Sequence, residues 1–490
     1  MQLGHHVNAL PDVTNLIADD VVRPARELAG SLTDPNTGVD LQPRMASSSE
    51  QVEAALAAAA QAHESGSWYE AGPDSRAEFL EAFADHLTGY LSEIAMADAL
   101  NSGVLHGITT AMAEGAPDRL RAAAEHLRTV GQDITVEGRG GGPALRRRAP
   151  WGPAVVIGPW NAPLATVIGK IASALAAGNP VILKPSEWAP SSAHYLAQAA
   201  VASGLPMGAF QVVNGDSDTG AQLVADPRVR IVSFTGSSSS ARSIATAAAP
   251  NFTRLQLEAS GNNPVIVRAD TDVELTVNAL AAGITKLNGQ WCEGPGKLIV
   301  HEDVYEQIFE QLIARLSTIT VGSNFDETTQ LGPLSHDTHR ADLQARIARL
   351  IARGGVAHST AHIPEQGWFI SPTIVTDAAA DDATDELFGP VVTIHSVSSD
   401  EEAVMAARKA GDGLGGYVFS TDIDRALALG AQLRAGEVKI NGTSLLDLVS
   451  DSRQSFWGSS GYGGHTTLAD ELEIFRGDRI IGVDNPDFPI

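Results

Sequence analysis

Cys292 is the only cysteine among the 490 residues, and it closes the stretch Asn288-Gly289-Gln290-Trp291-Cys292. One thiol cannot make an internal disulfide, which suits a reducing compartment and leads us to expect a cytoplasmic protein. Most lone cysteines are inert and buried. A reactive one needs a lowered pKa or a neighbouring base, and a carboxylate can be that base. Two acids stand in conspicuous settings: Glu258 in Leu257-Glu258-Ala259-Ser260-Gly261-Asn262-Asn263-Pro264, and Glu386 in Glu386-Leu387-Phe388-Gly389-Pro390-Val391. Three polar turns complete the inventory: Gly158-Pro159-Trp160-Asn161, Lys184-Pro185-Ser186-Glu187 and Phe234-Thr235-Gly236-Ser237. Each follows an apolar run. In open α/β sheets ligands gather at the carboxyl ends of strands, so three such turns together point to one crevice.

The elements that would position these residues read as follows. Residues 49–100 look like Ala-rich amphipathic helices, broken at Gly72-Pro73. The stretch 130–148 carries Ile134-Thr135-Val136, glycines 140–142 and the basic triplet 146–148, and reads as exposed strands leaving the main body. From Trp151 the pattern becomes β-α-β: a strand at Ala154–Ile157, a helix from about Ala162 to Ala177 with Gly178 as its cap, and a strand at Val181–Leu183. Further strands fall near Gln211, Val229 and Leu255, and such alternation implies a parallel sheet with helices on both faces. A second α/β block begins near Asn263, with strands at 265–267, 298–300 and 391–394, and the segment from Asp470 onward reads as an extended tail. Gly411, Gly413 and Gly416 match G-x-G-x-x-G. A helix (401–409) precedes and an apparent strand (417–420) follows, the reverse of the dinucleotide motif's context, so we read a loop there.

Composition narrows the function. The formal net charge of −26 argues against nucleic acid or an anionic membrane as a partner. No apolar run approaches the ~18 residues of a membrane span, and residues 1–13 show no secretory h-region.

In order and spacing these motifs resemble the aldehyde dehydrogenase superfamily, and the resemblance covers nearly the whole chain. It implies an α/β fold of two parallel-sheet domains plus a small oligomerisation sheet: residues 1–125 and 150–258 binding NAD, 259–455 forming the catalytic domain, and 126–149 with 456–490 supplying oligomerisation strands and the tail. It implies that the Cys292 thiolate attacks an aldehyde to give a thiohemiacetal, that hydride leaves to the nicotinamide, and that Glu258 activates the water that hydrolyses the resulting thioester. The Asn161 amide with the Cys292 N–H would form the oxyanion hole. Ile157, Pro159, Trp160, Lys184, Ser186, Glu187, Gly220, Phe234, Gly236 and Ser237 would line the cofactor site, with Lys184 and Glu187 at the adenosine ribose and Ser237 opening the helix that faces the pyrophosphate. Glu386 and Phe388 would hold the nicotinamide ribose and ring. NAD is the expected cofactor, with NADP as an alternative, and no metal is called for. The family habit is a homodimer or homotetramer.

The departures from that family are informative. Ser260 stands where a glycine is usual, beside a glutamate that has to move. Ala162 and Gly169 replace bulky aromatics. They are seven residues apart, two helical turns, so both would face one substrate tunnel. Trp291, Phe456 and Trp457 would wall the enlarged space, and Glu293 would add an anionic contact at its mouth. His465 takes the place of a common arginine. Lys170 reads equally well as surface or active site. The expectation is a bulky, aromatic or polyfunctional aldehyde. Two rivals stand beside it: a CoA-acylating aldehyde dehydrogenase, disfavoured because such enzymes generally lack the glutamate, and an idle binding protein of the same fold.

Overall fold

In the computed structural model the strands Arg254–Ala259, Ile231–Gly236, Ala154–Ile157, Val181–Lys184 and Phe210–Val212 lie side by side, all parallel. The structure describes residues 10–138, 142–359, 361–409, 411–449, 454–464 and 468–484; glycines 140 and 141, His465 and tail residues 485–490 lie outside them. Helices cover both faces of this sheet, which is why its central strands are continuous Val, Ile and Leu runs. Antiparallel additions extend it. Asn15–Ile17 and Asp20–Val22 follow Phe210–Val212 on one edge, and Gly461–Tyr462, read from sequence as part of the tail unit, pairs with Arg254–Ala259 on the other.

The helix after Ala154–Ile157 spans Pro163–Ala177, starting on a proline and ending at Gly178, whose φ of +96° only glycine adopts cheaply. The Ala-rich segment forms Ser49–Glu64, Gly72–Thr88 and Leu91–Ser102, with Gly72-Pro73 opening the second helix.

The second sheet has the order Val356–Ser359, Thr373–Thr376, Val391–Val397, Pro295–His301, Asn263–Val267, Gly413–Phe419, Ala435–Ile440. All its neighbours are parallel except the first pair. Gly413 and Gly416 lie inside a buried strand rather than the expected loop. A Cβ on Gly413 would come within 2.5 Å of the Gly415 carbonyl, so the glycines there serve close packing.

A third, antiparallel sheet joins Asp133–Glu137, Pro143–Pro150 and Arg476–Gly482. The extended tail therefore needs correction, because a helix, Leu468–Ile474, precedes its strand. Leu472 and Phe475 enter the core, and the Trp151 indole donates to the Ile474 carbonyl at 2.8 Å. Seven residues are too few for a legible helical period. Among the described residues no helix is long and apolar enough to cross a membrane.

The loop that delivers Cys292 is unusual. Leu287, Asn288 and Gly289 carry φ of +49°, +58° and +74°. Non-glycine residues in this region cost roughly 1–2 kcal/mol each. Side chains hold it there. The Asn288 amide donates to the carbonyls of Gly103 (2.6 Å) and Pro333 (2.9 Å) and accepts from the Gly332 N–H at 2.9 Å. Gln290 donates to the Ser102 carbonyl and accepts from the Ser335 N–H, both at 2.9 Å. A Cβ on Gly289 would sit 2.1 Å from the Gly389 carbonyl carbon and the Pro390 nitrogen, both backbone. Gly289→Ala is therefore expected to lose more than about 3 kcal/mol of stability in thermal or denaturant unfolding. Gly107→Ala, on a helix and facing open space, should gain about 0.5–1 kcal/mol. An unchanged melting temperature for Gly289→Ala would contradict this account.

Candidate active site

Parallel pairing lines the functional residues up at one edge of the first sheet. Ile157 is in register with both Lys184 and Phe234, and Thr235 with Glu258. All four strands point their carboxyl ends at one cavity of about 1240 Å³. The second sheet meets that cavity with the opposite polarity. Cys292 and the Glu386–Phe388 segment both precede their strands, Pro295–His301 and Val391–Val397, so they sit at amino ends. The cavity lies between the two sheets and draws on both.

Of the described residues expected at the site from sequence, all but three line this cavity: Asn161, Glu258 and Cys292, the whole cofactor set, and Ala162, Gly169 and Trp291. The exceptions are Glu293, Phe456 and Trp457. Glu293 is only 8 % exposed and faces away from the tunnel mouth, in contact with the Lys439 ammonium at 3.3 Å. A buried carboxylate needs such a partner, and the turn closed by Gly294 N–H on the Trp291 carbonyl aims it there. Glu437 shares the same ammonium at 2.8 Å. Phe456 packs instead against Gly461, where a Cβ would lie 2.8 Å from its ring. Trp457 does not line the cavity either and is 50 % exposed.

Burial pushes the Cys292 thiol pKa up, and the charges of Glu258, Glu293 and Glu386 push it further, against a smaller opposing effect of its own backbone N–H. The loop is held from below by Asn263, whose amide donates to the Cys292 and Gly294 carbonyls at 2.9 and 2.8 Å. Asn161 donates to the Gln290 carbonyl at 2.9 Å, which sets its amide beside the same loop. Lys170 belongs to the site. It is buried, and its ammonium lies 3.1 Å from the Glu258 carboxylate and against the Thr235 hydroxyl, which is itself 3.3 Å from Glu258. Glu386 is raised to about 8 by burial, opposed by the Ser260 hydroxyl that donates to it and by the Arg346 charge.

The cofactor crevice offers fitting chemistry. Ser237 caps the helix Ser238–Ala248, accepting from the Ser240 N–H at 3.2 Å, and so orients first-turn N–H groups toward the cavity. Lys184 is buried, 3.8 Å from Glu187; burial lowers its pKa while Glu187 and Asp216 raise it. His339, unmarked by any sequence pattern, packs on Trp160 with ring centroids 4.7 Å apart, and Trp160 meets Phe388 edge-on. Its Nε2 is buried without a partner on the cavity wall, an orphan that suits a polar ligand atom. Thr235, Asn263 and Ser260 lay within recognised motifs. His339, Arg346 and Glu471 also line the cavity or its rim, and nothing in the sequence marks them.

Comparison with known proteins identifies the family of the chain. The model of the aldehyde dehydrogenase family matches residues 25–476. Phenylacetaldehyde dehydrogenase of Pseudomonas fluorescens is 34 % identical over 430 residues, covering 84 % of this chain and 85 % of that protein. Betaine aldehyde dehydrogenase of Brucella anthropi is 32 % identical over 447 residues, with 90 % and 91 % covered. The crystal structure of betaine aldehyde dehydrogenase from Staphylococcus aureus in complex with NAD+ superposes with a TM-score of 0.90 at 26 % identity, covering 96 % and 95 % of the two chains. The chain belongs to the aldehyde dehydrogenase family, a class of NAD(P)-dependent oxidoreductases.

The thiol's environment has a measurable sign. A raised pKa means little thiolate at neutral pH, so alkylation of Cys292 by iodoacetamide in the cofactor-free enzyme should keep rising with pH past neutrality. Glu258→Gln removes a negative charge that raises the pKa. Its alkylation profile should therefore shift to lower pH, and the rate at about pH 8 should increase several-fold. A profile that stays put or moves upward would show that Glu258 does not act on the thiol through its charge.

Proposed function

We propose that this enzyme oxidises a bulky aldehyde to the carboxylic acid with NAD, through covalent intermediates on Cys292. The observation that carries the proposal is the meeting of Cys292 and a Lys170- and Thr235-anchored Glu258 in the cavity that also holds the cofactor-type crevice. The thiolate adds to the carbonyl carbon to give a thiohemiacetal. Asn161 spends one amide proton on the Gln290 carbonyl and keeps a second for the oxyanion, alongside the Cys292 N–H. Bound nicotinamide supplies the hydride acceptor. Once hydride has left, a thioester remains on Cys292. Glu258 takes a proton from water, the hydroxyl adds to the thioester carbon, and the thiol departs as the acid forms. Lys170 and Thr235 position Glu258 between turns. A glutamate so placed favours water over CoA as the acyl acceptor.

Lys184, Glu187 and the Ser237 helix would hold the adenosine ribose and pyrophosphate, with Glu386 and Phe388 at the nicotinamide end. The three-stranded sheet, whose outer strand exposes Ile480 and Ile481, would join subunits into a dimer or tetramer. We assign residues 1–125 and 150–258 to an NAD-binding domain and 259–455 to a catalytic domain that carries the nucleophile, with Asn161 and Glu258 reaching it from the first sheet.

The bulky substrate rests on Ala162 and on the apolar cavity residues Met112, Leu287, Trp291, Leu445 and Leu446. Gly169 contributes less room than its missing side chain suggests, because the Glu471 carboxylate lies 3.2 Å from where its Cβ would be.

Four outcomes are expected. Cys292→Ala should abolish NADH formation while binding NAD normally, and Glu258→Gln should give an NADH burst followed by slow turnover. Lost burst in Glu258→Gln would mean that Glu258 activates the thiol. Because Glu187 would repel a 2′-phosphate, kcat/KM should favour NAD over NADP, and Glu187→Gln should narrow that gap; a wild-type preference for NADP would count against the role. Finally, phenylacetaldehyde should exceed acetaldehyde and propanal in kcat/KM, and Ala162→Phe should penalise the bulky substrate by about ten-fold or more while sparing the short ones. Best wild-type turnover on acetaldehyde or propanal would refute the wide tunnel.

A further inference from the structure

Glu293 adjoins the nucleophile but turns away from the cavity, and the ammonium it meets reaches the cavity rim. Lys439, from the strand Ala435–Ile440, is buried. Its Nζ lies 3.3 Å from Glu293 and 2.8 Å from Glu437, and it donates to the Ser444 carbonyl at 2.8 Å. After Ser444 the chain places Leu445, Leu446 and Asp447 on the cavity wall. All three are exposed, Leu446 at 78 %, so this loop is a rim of the entrance. The rim is held at other points too. The Lys286 ammonium donates to the Thr443 carbonyl, the Thr443 hydroxyl to the Ala279 carbonyl at 2.8 Å, and the Leu448 N–H to Glu437 at 2.6 Å. Lys286 and Lys439 also lie over the Trp291 ring, 4.8 and 6.0 Å from its centroid, and the Tyr417 hydroxyl donates to the Glu293 carbonyl. One buried ammonium thus joins the nucleophile loop to the rim.

The neighbouring charges explain why the joint needs a cation. Glu293, Glu437 and Asp447 each offer a carboxylate oxygen within 4.8 Å of the others. Three such groups repel, and Asp447 is the one carried by an exposed loop that can leave. Burial disfavours the Lys439 ammonium, but Glu293 and Glu437 outweigh burial and hold its pKa above the ordinary value. We propose that Lys439, braced by Glu293 and Glu437, is a positioning residue that holds the loop 443–448 against the nucleophile loop and so sets the width of the aldehyde entrance. This role rests on the reading above that Leu445 and Leu446 wall the aldehyde site.

The test uses the full-length enzyme saturated with NAD, which fills the cofactor crevice and leaves the aldehyde side as the way to Cys292. Alkylation rates are measured with iodoacetamide and with a much larger fluorescein iodoacetamide. Their ratio cancels the thiol's own reactivity and reports access. Lys439→Met should raise the large-to-small ratio about five-fold by letting the rim open. It should also raise KM for phenylacetaldehyde about five-fold with kcat held within about two-fold, and leave KM for acetaldehyde, too short to reach the rim, unchanged. Lys439→Met strands buried carboxylates, so Lys439→Met combined with Glu293→Gln removes the pair together and carries the test if the single variant unfolds. Its alkylation ratio should rise as well. A wild-type ratio in both variants would overturn the proposal. So would a fall in kcat with both KM values unchanged, since Lys439 would then act on the nucleophile loop alone. Best wild-type turnover on acetaldehyde would refute the wide tunnel, whereas the alkylation ratio uses no aldehyde and decides separately for or against Lys439.

Discussion

Leu287 to Gly289 hold a left-handed backbone that only external contacts can enforce, and the geometry of the site depends on it. The contacts come from both sides of the cavity. Asn288 and Gln290 grip Ser102 and Gly103 at the end of an N-terminal helix and residues 332–335 of the second block. The thiol is thus fixed where the carboxyl ends of one sheet face the amino ends of the other. Its immediate neighbours come from the sheet edges: Glu258 from the first, Asn263 from the first strand of the second. A relaxed loop would move the nucleophile without disturbing either sheet, which explains why so many side-chain amides are committed to it.

The acidic groups that bear on the thiol outnumber the free cations near it. Glu258, Glu293 and Glu386 all oppose formation of the thiolate, and the nearby cations are engaged, Lys170 with Glu258 and Lys439 with Glu293 and Glu437. A thiol kept protonated in the resting site is protected from wasteful oxidation. Activation then requires either positive charge brought into the cavity or displacement of a carboxylate. Glu258 is the natural one to move, because the Lys170 and Thr235 side chains that hold it can follow it.

The sequence was most legible where chemistry and topology coincide. Strand-terminal turns such as Lys184–Glu187 and Phe234–Ser237 carry polar residues after apolar runs, and parallel register brings them together without further information. Glu258 and Asn161 are legible for the same reason, whereas Cys292, at an amino end of the other sheet, stands out as the single cysteine of the sequence. Legibility failed where a side chain's direction mattered more than its position. Glu293 adjoins the nucleophile, yet the backbone turn sends it to Lys439. Lys170 reads both ways in sequence because a helical period does not say what lies opposite, and opposite it lie Thr235 and Glu258. Phe456 was misplaced because the short strand it precedes joins the first sheet. The helix holding Glu471 is too short to announce itself, and its contact with Gly169 spans 302 residues of chain, from position 169 to position 471.

Ser260 shows how a single departure can act across the interface between the sheets. Read from sequence, it stiffens the backbone beside a glutamate that has to swing. In the structure its hydroxyl also donates to Glu386, and its carbonyl accepts from Ser238 at 3.3 Å. One residue therefore ties the end of the Glu258 strand to the acid of the second block and to the first turn of the Ser238–Ala248 helix. Burial favours a neutral Glu386 near pH 7, and the serine hydroxyl opposes that effect without cancelling it. A neutral carboxyl retains one donor, so Glu386 can accept from Ser260 while donating to a ligand oxygen. The residue that follows the Glu258 strand thus also contacts the acid opposite it. A change at position 260 would therefore be felt both beside Glu258 and at Glu386.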